Sequence, residues 1–246
     1  MKLTEHVHLV GSGRLGFELS NDFDCHVFLL DGGSEAALID AGVGLDVAMI
    51  LDHIRASGLS SKKITKIILT HAHADHMGGA AQLRATLDAQ VFAPWESAPW
   101  IRAADEKAVS LELAKRAGYY PDDYRLQGCA VDVEVHNRDK IRVGDLELVV
   151  LETPGHSRGH CSYLVHTEKR TLLFGGDLVF FGGTIIMQNI PDCSIQDYAH
   201  SVCKLEGLGV NALLCGHMTL PLRNGQKHID AAIQAFRGLM VPKNLL

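Results

Sequence analysis

The sequence predicts an α/β fold in which two β-sheets are covered by helices. Three observations point there. Short apolar, β-branched runs recur along the chain, amphipathic helical stretches separate them, and a similar order of elements returns in the second half. Residues 7–10, 25–30 and 36–39 read as strands, divided by Gly- and Asp-rich turns such as Asp31-Gly32-Gly33. Val47, Ile50, Leu51 and Ile54 recur at helical spacing, so 45–57 reads as an amphipathic helix that Gly58 stops. A β-branched run over 66–70, a helix over 79–87 and a strand over 90–93 follow. Residues 94–128, with their prolines, Trp95, Trp100 and a helical stretch over 107–117, read as an excursion rather than a separate domain. Strands return over 131–135, 146–151, 162–165 and 171–174. Helices are expected over 197–205 and 229–240, the latter with Ile229, Ile233, Phe236 and Met240 along one side.

The length of 246 residues fits one domain, 1–246, large enough to bury a core. A net charge of -6 gives no basic face for a phosphate backbone, so no nucleic-acid partner is expected. No run is long and apolar enough for a membrane span, and the start carries no secretory pattern. The six cysteines form no Cys-x-x-Cys pair and read as reduced thiols, which gives the expectation of a cytoplasmic protein, homo-oligomeric or not.

Histidine is the outlier, with 14 copies, several of them crowded together. The densest cluster is His71-Ala72-His73-Ala74-Asp75-His76, directly after an apolar strand. Side chains two apart on an extended segment point the same way, so His71 and His73 can reach one ion together. Where the chain turns, Asp75 and His76 can address a second ion, and Met77-Gly78-Gly79 lets the backbone bend into a helix. Imidazole and carboxylate suit zinc, and also iron and manganese.

Thr70-His71-Ala72-His73-Ala74-Asp75-His76 resembles the signature of the metallo-β-lactamase superfamily. Three later loops, each after an apolar run, resemble that family's remaining ligand loops in order: Thr153-Pro154-Gly155-His156, Phe174-Gly175-Gly176-Asp177 and Leu214-Cys215-Gly216-His217. The resemblance implies a four-layer αββα sandwich of two mixed β-sheets flanked by helices. It implies two divalent ions, zinc first, one on His71, His73 and His156 and the other on Asp75, His76 and His217, with Asp177 bridging. It also implies hydrolysis of an ester-type bond in a small molecule, a lactone, thioester or carboxylic ester, by a metal-bridging hydroxide, with Asp75 orienting the nucleophile and moving a proton. The alternatives on this scaffold are a mononuclear iron persulfide dioxygenase, a flavin-linked diiron reductase, a nuclease and a β-lactamase. The diiron reductases carry Glu where this chain has His73. The β-lactamases that use a cysteine where this chain has Asp177 fit less well.

Asp40, in Leu38-Ile39-Asp40-Ala41-Gly42, resembles the family's aspartate under the metal loop, and equally fits a turn-forming aspartate before Gly42. His160 is expected behind the ligands or against substrate. Phe180 and Phe181, in the loop after Asp177, are expected to contact substrate. Trp95, Trp100, Tyr119, Tyr120 and Tyr124 are candidate pocket walls. Gly11-Ser12-Gly13-Arg14-Leu15-Gly16 fits Gly-x-Gly-x-x-Gly, but the next strand begins too soon for the helix a dinucleotide site requires, so it reads as a turn.

Overall fold

The computed structural model describes residues 1–245. The first sheet holds six strands in the order β1 (Val7–Gly11), β2 (Val27–Asp31), β3 (Ala36–Ile39), β4 (Ile64–Ile68), β5 (Gln90–Pro94) and β6 (Val133–Val135). It is antiparallel from β1 to β3 and parallel from β3 to β6. The second sheet runs β11 (Ala212–Cys215), β10 (Thr171–Gly176), β9 (Cys161–His166), β8 (Leu146–Glu152) and β7 (Lys140–Val143). Only its β10–β11 pair is parallel, so both sheets are mixed.

The four layers follow from period-two alternation along strands that are buried on both faces. On β3, Ala36 and Leu38 face one hydrophobic cluster while Ala37 and Ile39 face another. On β10, Leu172 and Phe174 point inward between the sheets, and Leu173 points out. The outer layer on the first sheet includes α1 (Val47–Ala56), with Val47, Ile50 and Ile54 buried, and α3 (Ala80–Leu87), with Leu83 buried. The outer layer on the second includes α6 (Ile195–Cys203) and α7 (Gly225–Arg237), through Tyr198, Val202, Ile229 and Ile233. A short helix, α2 (Ala74–Met77), carries part of the histidine cluster. Between β5 and β6 the excursion forms α4 (Ala98–Ala103) and α5 (Leu111–Arg116).

Among the departures from the sequence reading are two strand boundaries and one missed strand, each with a local reason. β4 ends at Ile68 rather than Thr70, because the Thr70 N–H donates to the Asp40 carboxylate at 2.7 Å instead of to a neighbouring strand. β2 starts at Val27 rather than Cys25, because the Cys25 and His26 N–H groups donate to the carbonyls of Asp75 and Gly216. β7 was not expected. Its Ile141 and Val143 alternate with charged Lys140 and Arg142, and Gly144-Asp145 closes a two-residue hairpin to β8. The first two departures have one cause: backbone groups near the histidine cluster leave the ladders to brace it.

Candidate metal centre

The seven expected ligands all follow the carboxyl ends of strands. His71 to His76 come after β4, His156 after β8, Asp177 after β10 and His217 after β11. The two sheets are tied together beside them. Tyr163 of β9 donates its phenol to the Leu69 carbonyl at 2.6 Å, and Cys161 N–H donates to the Thr70 carbonyl at 2.9 Å. Close approach is possible because Gly176 adopts φ +51 against the His160 ring and Gly216 packs on the Asp177 carboxylate, where a Cβ would collide.

The outward nitrogen of four imidazoles has a defined acceptor. His71 Nδ1 lies 2.9 Å from the Thr70 hydroxyl, which itself donates to Asp40. His76 Nδ1 donates to Asp40 Oδ2 at 2.8 Å, and His156 Nδ1 to the Ile186 carbonyl at 2.8 Å. His73 donates Nε2–H to Asp192 Oδ2 at 3.0 Å. This network dictates the tautomers and leaves one lone pair of each ring facing inward.

Those inward atoms lack protein donors. His71 Nε2, His76 Nε2 and Asp177 Oδ1 are buried without a hydrogen-bond partner. His73 Nδ1 and His156 Nε2 face each other at 3.0 Å, and with both outer protons donated elsewhere the two lone pairs point at a position that a shared cation would fill. His217 Nε2 lies 3.1 Å from Asp75 Oδ2 and 3.4 Å from Asp177 Oδ2. Asp177 lies between the two groups, with Oδ1 3.4 Å from His76 and Oδ2 3.5 Å from His156. Donor atoms of His71, His73 and His156 lie within 4.8 Å of one another, as do those of Asp75, His76 and His217, and of His71, His76 and Asp177. The donor set fits divalent metal ions. Cys25, Asp40 and His76 also cluster, but His76 and Asp40 are already bonded to each other there.

Charge follows the same plan. Burial pushes His156 down to about 4 and His160 down to about 3, so both are neutral at pH 7. Burial also opposes charge on His217, but Asp177 and Asp75 outweigh it and raise its pKa to about 9, so the ring takes up a proton beside the two carboxylates, a proton that a metal ion would displace. For Asp177 burial favours the acid, yet His217 and His76 hold it well below the usual carboxylate range. The carboxylates are therefore ionised, as metal ligation requires.

The centre lies in a cleft of about 500 Å³, whose lining includes His73, Asp75, His156, Asp177 and His217. Asp40 is buried beneath the metal loop in a left-handed conformation, φ 62, accepting from Thr70 and His76. His160 is absent from the cleft lining. Its Nδ1 faces the Thr153 hydroxyl at 2.9 Å, and its Nε2 accepts the Asp177 N–H at 3.1 Å, so it braces the loop behind Asp177. Phe180 and Phe181 are not substrate walls in this structure. Phe180 is packed between the sheets because its loop turns back into the core, and Phe181 is exposed against the His228 ring. Of the five candidate aromatics, Tyr119 and Tyr120 line the cleft. Trp95 donates to Glu152 and stacks on His136, Trp100 packs against the helix-side core, and Tyr124 donates to the Val43 carbonyl. The Gly11–Gly16 segment leads into a loop, not a helix.

Three side chains that the sequence did not single out for such roles brace the candidate ligands. Asp192 accepts from His73 and, at 2.5 Å, from the Ser110 hydroxyl. Tyr120 donates to Asp75 Oδ1 at 3.1 Å, which leaves Oδ2 for the centre. Burial, with Asp75 beside it, keeps the Tyr120 phenol protonated far above pH 10. Ser110 and Tyr120 both belong to the excursion, which therefore reaches both sides of the centre.

A buried histidine and aspartate centre at the strand ends of an αββα sandwich, taken with the family and relatives that the chain matches, makes it a metal-dependent hydrolase. Residues 20–217 match the metallo-beta-lactamase superfamily, and the chain belongs to it. It is similar to the acyl-coenzyme A thioesterase MBLAC2 of Bos taurus, with 29% identity over 213 residues, 78% of this chain and 72% of that one. It also resembles a hydroxyacylglutathione hydrolase of Bdellovibrio bacteriovorus, at 30% over 159 residues. That match covers 64% of this chain, which spans about half of the relative, 49%. In fold it matches BJP-1, a subclass B3 metallo-beta-lactamase of Bradyrhizobium japonicum, with a TM-score of 0.73 and 22% identity over 97% of this chain and 91% of that one. No helix among the described residues is long and apolar enough to cross a membrane.

Proposed function

We propose that the chain, read as one domain with a partly helical insertion at 94–128, is a dinuclear hydrolase of an ester-type bond in a small molecule, a thioester first, with zinc as the metal. The observation that carries this reading is the convergence of unpartnered lone pairs on both sides of Asp177, on the floor of an open cleft. His71, His73 and His156 would hold one ion, and Asp75, His76 and His217 the other, with Asp177 between them. When bound, the ions supply hydroxide near neutral pH and polarise a carbonyl oxygen. The chain's own residues do the rest. Asp40, Asp192 and Ile186 fix the imidazole rings, Tyr120 holds Asp75 by one oxygen, and Asp75 takes the proton released on attack and returns it to the departing alkoxide or thiolate. A thioesterase and an acylglutathione hydrolase among the relatives favour a thioester over an amide. Six unpaired thiols support a reducing, cytoplasmic setting.

Metal analysis of protein purified without added metal, with a screen of thioesters, lactones, carboxylic esters and β-lactams, tests the reading. Two ions per chain and ester-type turnover are expected. One iron per chain with oxygen uptake on a persulfide would overturn it.

A further inference from the structure

The cleft lining comes from segments of unlike chemistry. The loop over 12–26 brings the charged Arg14, Asp22 and Asp24 to it, with Leu15 and Phe23 between them. Residues 109–117, around α5, bring Val109, Ser110, Leu111, Leu113, Ala114 and Ala117, with the Ser110 hydroxyl already given to Asp192, and the segment after Asp177 adds the uncharged run from Ile186 to Ile190. The charged residues of α5, Glu112, Lys115 and Arg116, are absent from the lining, and Lys115 is paired with Glu106 at 2.6 Å. An amphipathic helix ordinarily turns its apolar side to the core. Here part of that side is turned to open space, and Leu113 remains 41% exposed. The alanines at 114 and 117 keep the surface low beside it, which leaves room for an extended chain along the helix. The volume of about 500 Å³ is that of a small-molecule site.

We propose that the 109–117 stretch is the subsite for an aliphatic acyl arm, which lies along α5 while the carbonyl sits over the metal centre. The proposal rests on the ester-hydrolase reading for the position of the carbonyl. Charge develops on the departing oxygen or sulfur and none on the acyl chain. An aliphatic arm loses least on a wall without charged groups, which 109–117 offers, and the polar leaving arm takes the side of the cleft that carries Arg14.

Two series on the metal-loaded protein separate this proposal from the reading beneath it. The first is kcat/KM for acetyl to decanoyl thioesters of one small thiol. The second is calorimetric binding of the matching carboxylates, acetate to decanoate, which needs no turnover. Affinity and kcat/KM should both rise with chain length, by up to about fourfold per methylene while the wall lasts. Ala114→Phe should flatten that rise, and so should Leu113→Gln, whose exposed position makes it the safer variant to fold. Carboxylate binding independent of chain length overturns the acyl subsite. So does a rise that neither variant alters. Chain-dependent binding with no turnover of any ester or thioester supports the subsite and sinks the hydrolase reading alone.

Discussion

Asp40 tests whether the protonation pattern of the metal loop is built by the fold. Its Oδ1 accepts the Thr70 N–H at 2.7 Å, and its Oδ2 accepts His76 Nδ1–H at 2.8 Å and the Thr70 hydroxyl at 2.9 Å. Asp40→Asn keeps the shape, and asparagine tolerates the left-handed backbone at φ 62, so the substitution isolates the acceptor. With the amide oxygen on Thr70 N–H, the NH2 group faces His76 Nδ1. Two donors cannot face each other in a buried site, so His76 must move its proton to Nε2, and the lone pair meant for the metal is lost. One hydrogen bond to a charged group contributes about 1.5–3 kcal/mol, which corresponds to roughly 10- to 100-fold in affinity, the usual cost of losing a partner behind a metal ligand. The loss should fall on the ion held by Asp75, His76 and His217, while the His71, His73 and His156 position is retained. Chelator competition with metal counting reads the affinity, and long-range nitrogen–proton NMR of the imidazoles reads the tautomer. If Asp40→Asn binds both ions as tightly as wild type with His76 still protonated on Nδ1, the bracing argument is wrong.

The other predictions concern neighbours of the centre. Tyr120→Phe should lower kcat roughly 10-fold or more with two ions retained and KM changed little, because one hydrogen bond to ionised Asp75 is lost. A variant with wild-type kcat would show that the phenol does not hold Asp75. Burial raises Asp24 to about 6, despite hydrogen bonds from Ser20, Val43 and Asn21. The folded protein then binds more protons than the free chain between pH 3.8 and about 6, so this group favours folding below that window and loses its contribution as pH rises through 6. Denaturant unfolding at pH 4 and 7 should show wild type losing on the order of 2 kcal/mol more than Asp24→Asn as pH rises. Parallel pH profiles for the two proteins would refute it.

The sequence announced the centre better than its supports, and the reason is physical. His71, His73, Asp75 and His76 sit within six residues, and His156, Asp177 and His217 each follow an apolar strand, so chemistry and local structure coincide on the page. Alternation along β3 and β10 likewise carries the layered core, since every second residue serves a different cluster. Asp192 is 119 residues from His73, and Tyr120 is 45 from Asp75. Neither pair has a spacing rule, because the excursion and the loop after Asp177 bring them in through tertiary packing alone. Phe180 illustrates the opposite error: proximity in sequence to Asp177 suggested the cleft, but an aromatic of that size is buried where the loop re-enters the core. The signal available for Tyr120 was weak but physical, an aromatic pair in a proline-flanked excursion from a metal-bearing sheet. It acquires meaning only with the carboxylate beneath it. The proposed ligands are written in local pattern, whereas the groups that set their protons and orientation are written in the fold, so substitutions at those groups test the structure more sharply than removal of a proposed ligand does.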